Sequence, residues 1–144
     1  MKKLIFQAIF FASFTAFSAE QEVQFIYYGT EEDYEAYYAC SYASDQADIY
    51  LKSMGATDIK IDCKGGLRGP YDWHDPLKLV ASFNYAPLSQ EVEIKSDHLF
   101  TACAMNTRMI KEFVKVIPGV SILEKRDKCG HPRNPFYFKL LINR

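Results

Sequence analysis

The chain has 144 residues, with 17 Lys+Arg set against 18 Asp+Glu, and 49% of its residues are hydrophobic and 15% aromatic. Near-neutral charge argues against a nucleic-acid binder, which is usually basic, and the aromatic content is too high for a disordered polymer. Length limits the chain to one domain.

The first element is a leader. Lys2 and Lys3 precede an apolar run from Leu4 to Phe17 that closes on Phe17-Ser18-Ala19, the pattern of a secretory signal peptide over residues 1–19. A membrane helix needs about 20 apolar residues. This run is shorter, is broken by Gln7, Ser13 and Thr15, and meets Glu20 and Glu22 at once, so a retained anchor is only the alternative. Processing leaves residues 20–144 as a single disulfide-stabilised α+β domain. The leader takes two of the 17 basic residues and none of the 18 acidic ones, leaving 15 against 18 and a formal charge of −3.

Val23 to Gly29 reads as a strand with Val23, Phe25 and Tyr27 on one face. Thr30 then offers an N-cap oxygen, Asp33 stands at the capping-box position, and Glu31, Glu32 and Asp33 suit the positive end of a helix. Ala36, Cys40, Ala43, Ala47, Leu51 and Met54 recur at helical spacing until Gly55. Ile59, Ile61 and Cys63 alternate with Lys60 and Asp62 as a half-buried strand. After the Gly65–Pro76 segment, Leu77 to Tyr85 alternates again and is read as the opening strand of a second half. Ser96 serves as an N-cap for a helix with Leu99, Cys103, Asn106, Ile110, Phe113 or Val114, and Ile117 on its buried stripe, ended by Pro118-Gly119. Strands from Val120 to about Lys125 and from Phe136 to Ile142 complete the chain.

The two halves align, with AC before SYASDQADIYLKSMG at Ala39 and AC before AMNTRMIKEFVKVIPG at Ala102. A strand-helix-strand unit used twice predicts an α+β, ferredoxin-like βαββαβ sandwich with an additional C-terminal strand, its two helices on one face of an antiparallel sheet. The alternative is another small α+β sandwich with altered strand order. In outline, VQFIYYG followed by a helix resembles exported ferredoxin-like modules such as peptidoglycan-binding repeats; no family residue maps onto these positions.

Four cysteines in an exported chain predict two disulfides, for which three connectivities exist. Gaps of 23, 40 and 26 residues lack the closely spaced pairs of a zinc site. Cys40 lies about 21 Å of helix before Met54, and Cys63 lies about 26 Å of strand beyond Gly55. Cys40–Cys63 can therefore close across the helix-sheet interface, and Cys103–Cys129 follows by analogy. Cys129 has the wrong parity relative to Val120 and Ile122, so the second pairing requires a bulge or turn.

The segment GGLRGPYDWHDP, Gly65 to Pro76, carries Arg68, Tyr71, Trp73 and His74, residue types suited to a binding loop. A structured cover for the core explains the same composition. Together with Glu31, Glu32 and Asp33, this segment's Asp72, His74 and Asp75 form an acidic pole, where turn formation and helix capping outweigh cation binding or acid-base chemistry. At the other pole Lys125, Arg126, Lys128, His131 and Arg133, with Lys95 nearby, suit a phosphate, an acidic glycan or a carboxylate, or simply a solvated turn. His98 reads as a surface group. A third surface is the open sheet face with Ile26, Tyr28, Val80, Tyr137 and Leu141, where a homodimer or a peptide could seat. Tyr34, Tyr37, Tyr38 and Tyr42 offer rings to a sugar or protein, or cover the helix ends.

No serine elbow, P-loop, dinucleotide fingerprint, H-E-x-x-H or C-x-x-C occurs, and no catalytic residue, metal or cofactor is assigned. The resulting expectation is a periplasmic or extracellular binding or inhibitory module for a protein, peptide or glycan surface or other cell-envelope component. A structural envelope-associated protein and a small secreted hydrolase are the alternatives.

Overall fold

The computed structural model describes residues 19–29, 35–68, 75–86, 89–96 and 102–143; of the expected leader only Ala19 falls among them. In chain order the elements are β1 (Ala19–Tyr27), α1 (Cys40–Ser53), β2 (Ala56–Gly66), β3 (Asp75–Tyr85), β4 (Gln90–Lys95), α2 (Cys103–Val116), β5 (Val120–Arg126) and β6 (Tyr137–Ile142).

Alternation builds the first sheet. Val23, Phe25 and Tyr27 point inward from β1, and Leu77, Leu79, Ala81, Phe83 and Tyr85 do so from β3. Leu79 stands opposite Phe25 on one side and Cys63 of β2 on the other, in the antiparallel order β1-β3-β2. β1 and β2 are thus parallel with β3 between them, a split β-α-β unit whose crossover is α1. In the second half, β6 buries Phe138, Leu140 and Ile142 between β4 and β5, giving the order β4-β6-β5. Each half therefore runs β-α-β-β with its last strand in the middle, and each helix has 14 residues beginning on a cysteine.

The helices join the halves. α1 packs on β2 and β3 and reaches β4 of the other sheet, α2 packs on β1 of the other sheet and on β5 of its own, and the helices meet each other. Among the described residues no strand of one sheet lies beside a strand of the other, so the helices form a layer between the sheets. Exchanging the halves maps the α1–β2 and α1–β4 contacts onto α2–β5 and α2–β1, an approximate two-fold relation of topology, although the packing of α1 on β3 has no counterpart between α2 and β6 among the described residues. Burial follows this layering: α2 is buried from Cys103 through Thr107 and again at Met109, Ile110 and Phe113, more than one stripe of a helix. By contrast, α1 buries Ala43, Ala47, Tyr50 and Leu51 and leaves its opposite face to solvent.

The α+β class holds, but two three-stranded antiparallel sheets replace the expected single sheet with both helices on one face. Leu77–Tyr85 accounts for the difference. This segment does not open the second half; it pairs along both edges within the first and supplies that sheet's centre. The second half opens instead with β4, which the sequence reading left unassigned, although Val92 and Ile94 alternate there with Glu91, Glu93 and Lys95. The C-terminal strand is present as β6 and is central, not appended.

Both helices also start later than the caps predicted. Thr30 and Asp33 lie outside the described residues, and residues 36–39 are not helical: Ala39 is extended and bridges Gly66. Ser96, the expected second cap, closes β4 instead, its N–H donating to the Phe136 carbonyl at 3.1 Å and its hydroxyl accepting from Phe136 N–H at 3.2 Å. Tertiary strand pairing at these positions outweighs local capping preference.

Both expected disulfides are present. Cys40–Cys63 ties the first residue of α1 to β2, and Cys103–Cys129 ties the first residue of α2 to the segment after β5, each with Cα atoms 5.6 Å apart. The anticipated parity change occurs at Leu123: Ile122 pairs with Leu140 and Glu124 with Lys139, so Leu123 is the extra residue of a β-bulge.

Candidate functional site

The stem of the Gly65–Pro76 segment is built from backbone constraints at the start of α1. Gly65 and Gly66 have φ of +78° and +72°. A Cβ at the first would strike the Pro76 carbonyl, and one at the second the Tyr38 carbonyl, so glycine is required sterically as well as conformationally. Leu67 N–H donates to Tyr38 O at 2.9 Å, Ala39 bridges Gly66, and the Cys40–Cys63 disulfide secures the base. Arg68 emerges exposed from this clamp. Tyr71, Trp73 and His74 lie outside the described residues, as do Glu31, Glu32, Asp33 and Asp72 of the acidic pole, Tyr34 and His98. The end of β1 and the ends of the β2–β3 hairpin do share one pole, where Tyr27 stands opposite Leu77 and Ala36 N–H donates to Gly29 O at 2.9 Å.

A line of rings runs from this pole along α1. Tyr27 and Tyr38 have centroids 5.8 Å apart, and Tyr38 and Tyr42 are 5.9 Å apart. The Arg108 guanidinium of α2 sits 5.7 Å from the centre of the Tyr27 ring. Tyr38 is buried and Tyr37 packs on Gly29, so both cover the helix start, whereas the half-buried Tyr42 faces a cavity.

That cavity, of about 380 Å³, is a groove between α1 and β4. Tyr42, Gln46, Ile49, Tyr50 and Ser53 line it from α1, Glu93, Ile94 and Lys95 from β4, and Asn106 and Phe136 complete it. Tyr50 donates to Gln46 Oε1 at 3.0 Å, and Asn106 Nδ2 donates to the Tyr42 hydroxyl at 3.2 Å. Burial, and then the neighbouring Tyr42, push the Tyr50 phenol well above its ordinary pKa, so it stays protonated as the donor to Gln46. Ile49 is 51% exposed at the rim, an apolar group set in a polar surround. Its size falls within the range of small-ligand and peptide-side-chain pockets.

The two-fold relation explains why the groove occurs at this helix. Positions 42, 46 and 50 of α1 correspond to Met105, Met109 and Phe113 of α2, each fully exposed to the core and not to water. Tyr, Gln and Tyr at these positions carry polar tips that need partners, so α1 stands against β4 with a polar-lined gap, while α2 packs closely on β1. Copying the second half into the first by Gln46→Met with Tyr50→Phe removes both members of one hydrogen bond together. The double variant is expected to be as stable as the parent or about 1 kcal/mol more stable, with the groove filled. Urea denaturation and a structure of the variant check this.

The open-face surface is divided by the fold. Ile26 and Val80 belong to the first sheet, with Tyr28 just past the end of β1, and Tyr137 and Leu141 belong to the second, so these five residues are divided between two sheets. Across the first sheet the exposed row is largely polar, with Glu22, Ser82 and Lys60 in register.

At the basic pole, Asp127 accepts from Lys111 and, at 3.3 Å, from Lys125. Burial opposes ionisation of Asp127, but the hydrogen bonds and charges of these two lysines outweigh it and hold the carboxyl below its usual range. A lowered folded pKa stabilises the fold above the unfolded value of about 3.9, and this contribution is lost as pH falls through the folded value. Asp127→Asn should therefore lose stability at neutral pH and show a shallower decline below about pH 4. Thermal melts between pH 2 and 7 measure the difference.

Compared with known protein families, curated proteins and solved structures, the chain matches none. Among the described residues no helix is long and apolar enough to cross a membrane, and no three His, Cys, Asp or Glu side chains gather as a metal site. Sequence reasoning singled out Tyr42, set Lys95 beside the basic pole, and missed Gln46, Ile49 and Glu93, because the groove joins a helix to a strand that had not been assigned. Its one sequence signal was polarity in an otherwise apolar helical register, at Gln46 and Asn106.

Proposed function

We propose that this chain is an exported binding module that recognises a protein, peptide or cell-envelope component in the α1–β4 groove. The Gly65–Pro76 loop, with Arg68, Tyr71, Trp73 and His74, is its second contact. The observation that carries this reading is the groove itself: where α2 presents the buried Met105, Met109 and Phe113, the corresponding positions of α1 place Tyr and Gln, together with Asn, Glu and Lys, in the lining of a cavity around an exposed Ile49. The leader pattern and two disulfides support export to the periplasm or beyond.

The loop stem closes on Tyr38, Ala39 and Cys40, immediately ahead of the α1 residues that line the groove. Glycine geometry and a disulfide hold the stem, and a rigid base lowers the ordering cost of recognition.

Photo-crosslinking in cells that make the protein tests the proposal. A photoreactive side chain at Gln46 or Ile49 should capture a discrete adduct, while one at Lys60 on the outer face of the first sheet should not. The Gln46→Met/Tyr50→Phe variant should lose that adduct while remaining folded. Binding of the captured partner should also change the fluorescence of Trp73, the chain's only tryptophan. Adducts of equal yield from Lys60, or adducts unchanged in the filled-groove variant, would remove the groove from the function.

A further inference from the structure

A second, smaller pocket lies on the far side of Tyr137 from β4. Lys125, Arg126, Asp127, Lys128 and Pro135 line a cavity of about 320 Å³. Its cations are arranged, not merely abundant. Asp127 accepts from both Lys111 and Lys125, which fixes their ammonium groups side by side and uses one of the three donors on each. Arg126 lies over the Tyr137 ring, 5.3 Å from its centre, leaving the guanidinium edge for hydrogen bonding. Lys128 is exposed at the mouth. Lys125, Arg126 and Lys128 thus line the pocket with one carboxylate, Asp127, which also holds Lys111, in a chain whose net charge is −1.

The segment that carries these groups is pinned. Cys129 is bonded to Cys103, Cys103 N–H donates to the Pro132 carbonyl at 3.0 Å, and Arg133 N–H donates to His131 Nδ1 at 3.1 Å. Solvated surface lysines lose side-chain entropy on binding, but here the backbone and two of the lysines are already held before a ligand arrives.

We propose that this pocket is an oxyanion site for a phosphate group. Lys125, Lys128 and Arg126 supply charge-assisted donors to its oxygens, and Asp127 acts as a positioning residue that orients Lys125 and Lys111. The volume admits a phosphate or diphosphate, and the overall negative charge disfavours a long polyanion. This site is independent of the α1–β4 groove.

The test is titration of isotope-labelled protein with sodium phosphate and sodium pyrophosphate at constant ionic strength, followed by amide and side-chain NMR shifts. Saturable shifts confined to residues 125–128 and their neighbours are expected, with pyrophosphate the tighter ligand. Arg126→Gln with Lys128→Gln should weaken binding about tenfold or more, equivalent to roughly 1.4 kcal/mol, while the rest of the spectrum stays unchanged. Asp127→Asn should weaken phosphate binding even though it removes a negative charge from the site, because Lys125 and Lys111 lose the carboxylate that orients them; binding as tight as the parent's or tighter would remove the positioning role from Asp127. Vesicles of phosphatidylcholine with phosphatidylglycerol distinguish the source. Retention that the double variant loses assigns a lipid headgroup, and phosphate binding without retention assigns a free phosphate. Shifts reproduced by sodium chloride alone, or affinity unchanged in the double variant, overturn the site.

Discussion

Replacing Cys103 and Cys129 together by alanine should cost about 3–4 kcal/mol, the chain-entropy contribution of a closed loop of this length. The sequence separation is 26 residues, and Cys103 is fully buried at a helix start enclosed by two sheets. Native stability is only about 5–15 kcal/mol, so the variant should lose a large share of it. The effect should exceed that of removing Cys40–Cys63, whose loop is similar at 23 residues but whose cysteines are only half-buried. Without the second disulfide, the backbone bond from Cys103 to Pro132 loses its brace, and the basic segment should loosen before the sheets separate. Urea denaturation gives the loss, and amide exchange of residues 127–135 reports the loosening. A cost below about 1 kcal/mol would show that packing alone holds this segment.

Phe113→Ala is expected to destabilise by about 3–5 kcal/mol, the range for removing a large aromatic side chain from a core. Phe113 is fully buried on α2, the helix that packs on both β5 and β1, so the cavity would lie where the two halves join. Its counterpart Tyr50→Phe removes only a hydroxyl that donates to Gln46, and should cost about 1 kcal/mol. Tyr50→Ala is the matched truncation and, because Tyr50 borders the groove, should cost less than Phe113→Ala. Urea denaturation of the two alanine variants measures the asymmetry, and similar losses would mean that the groove side is as tightly built as its counterpart.

Much of the fold can be read from alternation and spacing. The inward residues of β1, β3 and β6, the helical stripe of α1 and the Gly55 and Gly119 stops all follow from side-chain period and backbone preference, which are local properties. Cys40–Cys63 was legible because helix rise and strand rise return the chain to the same level. The bulge at Leu123 was legible because Cys129 had the wrong parity for its partner. Ser96 misled for the converse reason: a capping side chain proposes a helix start, but pairing of Ser96 with Phe136 uses that backbone for the sheet, as pairing of Ala39 with Gly66 does just ahead of α1.

The α+β class, the repeated helix and both disulfides were legible in the sequence, since these rest on residue type, period and chain reach. Only tertiary structure decided that Leu77–Tyr85 is the centre of the first sheet, that β4 opens the second, and that the helices form a layer between them. Those outcomes depend on which of several compatible edges bury the most apolar surface when the halves meet, a competition between distant segments. The groove has the same origin, for Gln46 and Glu93 become neighbours only when α1 of one half is laid against β4 of the other.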